Sequence, residues 1–506
     1  MKFNILTKTK TQVVNHEGAP AYTVTPELEL YATVVTASLS DQFYEKADKR
    51  IDRIRELIGK VSPAFVAQLA VYAREQVYLR SVPLVLAVEL ARVHTGDQLV
   101  SKLVSRIIQR ADEITELLAY YQAANQRDGM KKLGKLSKQL QRGIALAFNK
   151  FDEYQFAKYN REAEIKLRDA LFLTHPKAKD EAQQALFNKI VNNELAVPYT
   201  WEVELSVLGQ QAFETEAHRK AAVRAKWEEL IDSGKLGYMA LLRNLRNILQ
   251  ANVSEVHISR VANRLSDERE VRKSKQLPFR FLAAYRELKE VNSVYTMLIL
   301  NALEDAVNVS AANITGFDIQ TKVLLACDVS GSMQTFVSPR SRIQNYDIGL
   351  MLAMLLQSRC QAVISGFFGD TWKVVNLASK QILANVDELR RREGEVGYST
   401  NGHLVIKDLI DRQIVMDKVM IFTDCQLWNS TGDGNTFAQL WRQYKKIAPA
   451  AKVYLFDLAG YGQMPLRTEG NDVFLIAGWS DKVFDILTAI ENGSSAIAEL
   501  SKITLD

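Results

Sequence analysis

Residues 323–333 read Val323-Leu324-Leu325-Ala326-Cys327-Asp328-Val329-Ser330-Gly331-Ser332-Met333, an apolar run that stops in Asp-x-Ser-x-Ser. The run predicts a strand buried on both faces, and its end places one carboxylate and two hydroxyls on a tight turn. Such a donor set suits a hard divalent cation of the Mg²⁺ type, which keeps several waters and takes only one or two carboxylates. On either side the same texture continues. Short β-rich runs at 323–327, 362–368, 419–423, 453–457 and 473–476 alternate with helical stretches at 346–358 and 402–412. Buried strands separated by helices specify a doubly wound parallel sheet over residues 316–506.

Two further segments join the first turn. The run Val419-Met420-Ile421-Phe422-Thr423 ends in Asp424, and Tyr398-Ser399-Thr400-Asn401-Gly402 is a polar turn ahead of a helix. In open α/β sheets ligands collect at the carboxyl ends of strands, beside the switch point. Asp328, Ser330, Ser332, Thr400 and Asp424 are therefore expected to meet there as metal ligands. The alternative is that both aspartates only cap the segments that follow them. These five residues contain no nucleophile–base pair. His403 reads as a satisfied helix-start histidine, so catalysis is not expected. Neither a Gly-x-x-x-x-Gly-Lys loop nor a Gly-x-Gly-x-x-Gly after a strand is present, which argues against a nucleotide-driven machine.

Before residue 316 the period changes. Apolar residues recur at three- and four-residue spacing over 51–58, 63–78, 83–94, 99–118, 216–232, 237–250, 254–265 and 279–288. Helices of this length joined by short polar turns predict antiparallel pairs stacked as a helical-repeat domain over 1–315. Residues 306–320, polar and β-branched, read as the join. With 47% hydrophobic residues and 24% charge the composition is that of a globular chain, and no apolar run reaches the length of a membrane span. The N-terminus lacks the apolar region of a secretory signal. Three cysteines, Cys327, Cys360 and Cys425, without Cys-x-x-Cys spacing predict reduced core thiols in a cytoplasmic protein.

The net charge of +5 is unevenly spread. Residues 1–320 hold 45 Lys and Arg against 39 Asp and Glu, residues 321–506 hold 19 against 20, and residues 101–150 alone hold 10 against 4. A local basic block on a near-neutral chain points to a polyanion. It contains Lys131, Lys132, Lys135, Lys138 and Arg142. On a helix, Lys131, Lys135 and Lys138 share one face while Met130, Leu133, Leu136 and Leu140 face inward. That face would hold phosphates without reading sequence, or it is simply solvated. Tyr154, Phe156, Tyr159 and Phe172 offer rings for base stacking, or belong to the core. Arg243 and Arg246 reach phosphate or pair with acids, and spacing does not decide between these.

Several stretches resemble one family. Thr25-Pro26-Glu27-Leu28-Glu29-Leu30-Tyr31-Ala32, Lys158-Tyr159-Asn160, Leu171-Phe172-Leu173-Thr174-His175-Pro176-Lys177, Ala240-Leu241-Leu242-Arg243-Asn244-Leu245-Arg246-Asn247 and Ser274-Lys275-Gln276-Leu277-Pro278-Phe279-Arg280-Phe281 are similar to the TROVE module of the Ro ribonucleoproteins, bacterial relatives included. The Asp328, Thr400 and Asp424 segments resemble the metal-ion-dependent adhesion site of von Willebrand factor A domains. There the second loop often reads Gly-Thr-Asp rather than Ser399-Thr400-Asn401. The resemblance implies a ring of HEAT-type helical repeats bridged by an A domain. It implies Y-like non-coding RNA on the outer basic face and single-stranded 3′ ends of misfolded or decaying RNA in a central hole. In bacterial relatives it further implies a tethered 3′→5′ exoribonuclease, polynucleotide phosphorylase. Lys158, Arg161 and His175 match basic and polar residues lining that hole, with Lys177 beside them. Glu162 stands where the animal pattern has arginine, so Arg161 is expected to substitute. His175 before Pro176, taken alone, reads as a core histidine. The expectation is a monomeric, non-enzymatic RNA scaffold holding Mg²⁺ and serving RNA quality control or processing. Its rivals are a metal-dependent protein-adhesion module without RNA binding and, less favoured, a metal hydrolase.

Overall fold

The structure, a computed structural model, describes residues 12–37, 39, 42, 44–125, 136–160, 163–311, 320–339, 341–467 and 472–505. They pack as two compact units: residues 1–51, 242–249 and 259–496 in one, and residues 52–241, 250–258 and 497–506 in the other. These packing units do not follow the order of the chain.

The first unit holds nine strands among its described residues: β1 Gln12–Val14, β2 Pro20–Thr23, β3 Lys322–Asp328, β4 Ala362–Phe368, β5 Trp372–Val375, β6 Lys418–Thr423, β7 Lys452–Asp457, β8 Gln463–Met464 and β9 Val473–Ala477. Six form one sheet in the order β5-β4-β3-β6-β7-β9. β3, β4, β6, β7 and β9 are parallel and occupy the five predicted positions. β5, not anticipated, adds an antiparallel edge. It is short and half-exposed, so it lacks the long apolar run by which the other strands announce themselves. The chain leaves β3 toward β4 and returns to its other side as β6, making the β3–β6 boundary the switch point. β6 is buried at every residue, and so is the Asn345–Gln357 helix, which lies against β3 and β6 on one side and other helices on the other.

Residues near the N-terminus belong to this same unit. β2 pairs with β8, Tyr22 opposite Met464, and the Pro26–Val35 helix seats Tyr31, whose hydroxyl donates to the Ala477 carbonyl at 3.1 Å. Gly460 permits the approach: its φ is +66°, and a Cβ there would stand 2.3 Å from Thr36 Oγ1.

The helical unit keeps most predicted elements, including Pro63–Glu75, Ser81–Val93 and Glu216–Asp232. The expected single helix over 99–118 is two, Leu99–Ile107 and Asp112–Ala124. The break is held by buried charge. Arg74 Nε donates to the Ile107 carbonyl and Lys150 Nζ to that of Ile108, while Glu113 Oε2 accepts from the Gln109 and Arg110 N–H groups. Glu113, fully buried, also takes Arg74 Nη2 at 2.8 Å. The reading of 306–320 as a join is corrected in part, since the Thr296–Ala311 helix runs through its first residues; 312–319 lie outside the described residues.

Candidate metal centre and cationic surface

Strand ends build the first site. Asp328 closes β3, Asp424 follows β6, and the Tyr398 carbonyl accepts from Gly331 N at 2.9 Å, tying the Thr400 loop to the Ser330–Ser332 turn. All five predicted ligands are at most 5% exposed. Asp328 Oδ1 accepts from Ser330 N at 2.9 Å and Oδ2 from Thr423 Oγ1 at 2.7 Å; the Ser330 and Ser332 hydroxyls stand 3.4 Å apart. Thr400 Oγ1 accepts from Trp428 N at 3.1 Å. Asp424 Oδ1 accepts from Gln426 N at 3.0 Å, whereas its buried Oδ2 has no well-formed hydrogen bond among the described residues, although the Ser332 hydroxyl lies close enough to favour the charged carboxylate. Burial, and for Asp424 the nearby charge of Asp328, hold both carboxyls well above the usual carboxylate range.

Two buried carboxylates within reach of each other, one with an orphaned oxygen, are costly unless a cation or proton joins them. The donor chemistry fits a divalent ion: two carboxylates, three hydroxyls and no thiolate or imidazole. With two carboxylates the site is not a cluster of three or more His, Cys, Asp and Glu, and none exists among the described residues, so the hydroxyls are needed to complete the donor set. Thr423, which orients Asp328, was missed by sequence reading although it precedes Asp424 in the same strand end. Asn401 spans the loop instead of serving as a donor to the site: its Nδ2 reaches Ser430 Oγ at 2.7 Å and its Oδ1 accepts from Ser430 N at 2.8 Å. Cys327 and Cys425 are buried, with thiols pushed up by desolvation.

His403 departs from expectation. It begins the His403–Asp411 helix and is 2% exposed, yet neither ring nitrogen has a hydrogen-bond partner among the described residues. Burial pushes its pKa down, so the imidazole is neutral.

The predicted RNA-contacting residues divide. Lys131, Lys132, Lys135, Arg161 and also Glu162 lie outside the described residues. Lys138 and Arg142 are exposed on the Lys138–Phe148 helix, whose inner face buries Leu140. The single helix face proposed for Lys131, Lys135 and Lys138 is corrected, because residues 136 and 137 are not helical and the helix starts at Lys138. His175 is exposed rather than core, a left-handed C-cap with φ 46° closing the Leu167–Thr174 helix; Lys177 is exposed nearby.

The aromatics also divide. Phe156 packs among Phe148 and Phe151 and is fully buried. Tyr154 and Phe172 are 44% and 49% exposed. Lys158 Nζ sits 5.7 Å from the Tyr154 and Tyr159 rings, and Arg168 Cζ 5.7 Å from that of Phe172. Arg110 covers Tyr159 at 4.3 Å but is already paired with Asp112. In the other unit Arg246 pairs with Glu287 at 2.6 Å. Arg243 meets no carboxylate among the described residues, and its charge helps depress the pKa of Arg280, though burial does so more.

Residues 32–203 and 192–297 match the TROVE domain. Telomerase protein component 1 of Rattus norvegicus is 26% identical over 321 residues, and that of Mus musculus 25% over 315. These alignments take in 48% and 47% of this chain but 12% and 11% of those much longer relatives. The crystal structure of the Deinococcus radiodurans Ro (RSR) protein superposes with a TM-score of 0.58 at 19% identity, over 93% of this chain and 100% of that one. The shared architecture is helical repeats with an A-domain-like α/β sheet.

Proposed function

Because this chain belongs to the TROVE domain family, we propose that it is an RNA-binding scaffold of the Ro type, acting in RNA quality control or processing. It holds a Y-like structured RNA on basic surface and the single-stranded 3′ ends of misfolded or decaying RNA at exposed aromatics. The observation that carries this reading is two pairings of a cation with an exposed ring, Lys158 beside Tyr154 and Arg168 beside Phe172. A strand needs positive charge for its backbone and flat side chains for its bases, and these residues offer both. Arg243 and Arg280, two neighbouring cations that repel each other, add a second anion-seeking feature. Such contacts bind without reading sequence.

In the same proposal Asp328, Ser330, Ser332, Thr400 and Asp424 hold Mg²⁺. The ion supplies an open coordination position for an acidic group of a partner, and a tethered 3′→5′ exoribonuclease is one such partner. Among the described residues no helix is long and apolar enough to cross a membrane. A cytoplasmic monomer that does no chemistry on the RNA completes the reading.

The rival, a metal-dependent adhesion module without RNA, uses the same metal centre, with its unpaired Asp424 Oδ2, but leaves the cation–ring pairs of the helical unit without a role. Purification separates the two. An absorbance excess at 260 nm that ribonuclease removes, with bound RNA recovered by crosslinking in cells, supports the scaffold. A clean protein spectrum, with no salt-sensitive RNA binding by purified protein, rejects it.

A further inference from the structure

The sheet-bearing unit contains a cleft of about 450 Å³ that no part of the proposed scaffold uses. It lies within the range of about 300–1,000 Å³ typical of small-ligand sites. Its walls include Tyr22, Trp428 and Phe437, and the buried, unpartnered His403 lines it. Trp428 is 43% exposed, an indole face open to the cleft and to solvent.

One end of the cleft is the start of the Phe437–Ile447 helix. The capping box of Thr436 and Gln439 takes the Gln439 N–H, leaving those of Phe437 and Ala438 without an acceptor among the described residues. Those free donors and the helix dipole favour an anion. Arg442, one turn on, also lines the cleft; its Nε bonds the Ala438 carbonyl, and no carboxylate neutralises its guanidinium among the described residues. Asp433, whose charge acts on His403, is already held by Asn429 Nδ2, Asn435 N and Lys407 Nζ.

The inventory is specific: flat aromatic walls, an anion corner, and a neutral imidazole with one donor and one acceptor unmet. We propose that this cleft binds one nucleotide, its base against Trp428 and Tyr22, its phosphate at the start of the Phe437–Ile447 helix beside Arg442, and a polar edge on His403. The nucleotide is either a free nucleoside monophosphate or the terminal residue of an RNA. Neither the metal nor the helical unit's cations enter the argument, so the inference stands apart from the proposed scaffold function.

The test is calorimetric titration of the full chain with AMP, adenosine, inorganic phosphate and the dinucleotide pApA. AMP or pApA should bind, and Trp428→Ala and Arg442→Gln should each weaken binding about tenfold, the loss of a single stacking or charged contact. Both side chains are exposed, so unchanged melting curves verify that these variants fold. Binding of AMP and pApA alike assigns the free nucleotide, and binding of pApA alone assigns a chain end. Equal affinity for inorganic phosphate and AMP would reduce the cleft to an anion site and overturn the proposal. So would displacement of AMP by an acidic peptide of tenfold higher affinity, or AMP binding that neither substitution weakens.

Discussion

Glu113 in the helical unit and Asp424 in the sheet unit are both buried carboxylates, yet they live in opposite circumstances. Glu113 is satisfied: Arg74 and two backbone N–H groups take its oxygens. Asp424 keeps one oxygen unpaired and faces the charge of Asp328. A buried charge whose partners are complete is architecture, here holding open a break between two helices. A buried charge left incomplete by the fold asks for something from outside.

The largest expected effect tests the architectural side. Glu113→Ala should cost about 3–5 kcal/mol, as breaking a buried pair from one side does, because Arg74 would be stranded. Urea unfolding of the helical unit reads this, and Mg²⁺ response and RNA affinity should not move in protein that remains folded. A cost below about 1 kcal/mol would place the pair in the class of surface ion pairs and dissolve the contrast.

Asp424→Asn should do the reverse. At Mg²⁺ one hundred times its Kd, the parent gains about 2.7 kcal/mol and the variant should gain none. The sign with pH is also fixed. Raised carboxyl pKa values mean the metal-free folded state holds protons that the unfolded state has released, so stability should fall as pH rises from about 4, the ordinary aspartate range, to about 7. Asp424→Asn should flatten that fall, and Mg²⁺ should flatten it in the parent. A parent melting curve indifferent to Mg²⁺ at pH 8 removes the metal from the account.

On the exposed surface effects are smaller. Tyr154→Ala and Phe172→Ala should each weaken single-stranded RNA binding by about 1–3 kcal/mol while leaving its salt dependence unchanged. Lys158→Gln with Arg168→Gln should instead lower the log–log salt slope by about 1.4, near 0.7 per phosphate on a single strand. Filter binding across a salt series distinguishes the two, and identical behaviour of both pairs would mean that stacking and charge are not separate here.

Much of this contrast was legible in the chain. Apolar runs ending in Asp328 and Asp424 give both the strands and the carboxylates, because burial and strand ends are local properties of sequence. Phe156 and Tyr154 could not be told apart, since helical period marks a face but not which turn of it is covered. The break after Ile107 was invisible for a related reason: its partners Arg74 and Lys150 lie far away along the chain. His403 was misread because a helix-start histidine looks satisfied until its surroundings are known. β5 and β8 were missed as strands too short to carry a pattern.

The seating of Tyr31 on Ala477 has a consequence in time. The two residues are 446 positions apart. At about 5–20 residues per second, synthesis of the intervening chain takes roughly 20–90 s. Throughout that interval Tyr31, fully buried in the finished unit, lacks the β9 strand against which its helix packs. Ribosome-bound chains halted before residue 464 should be cut by protease within residues 12–37, whereas chains released beyond residue 477 should resist. The first described strand and helix of this unit to leave the ribosome then wait for partners made more than 400 residues later, and the nascent chain must carry that apolar face without them.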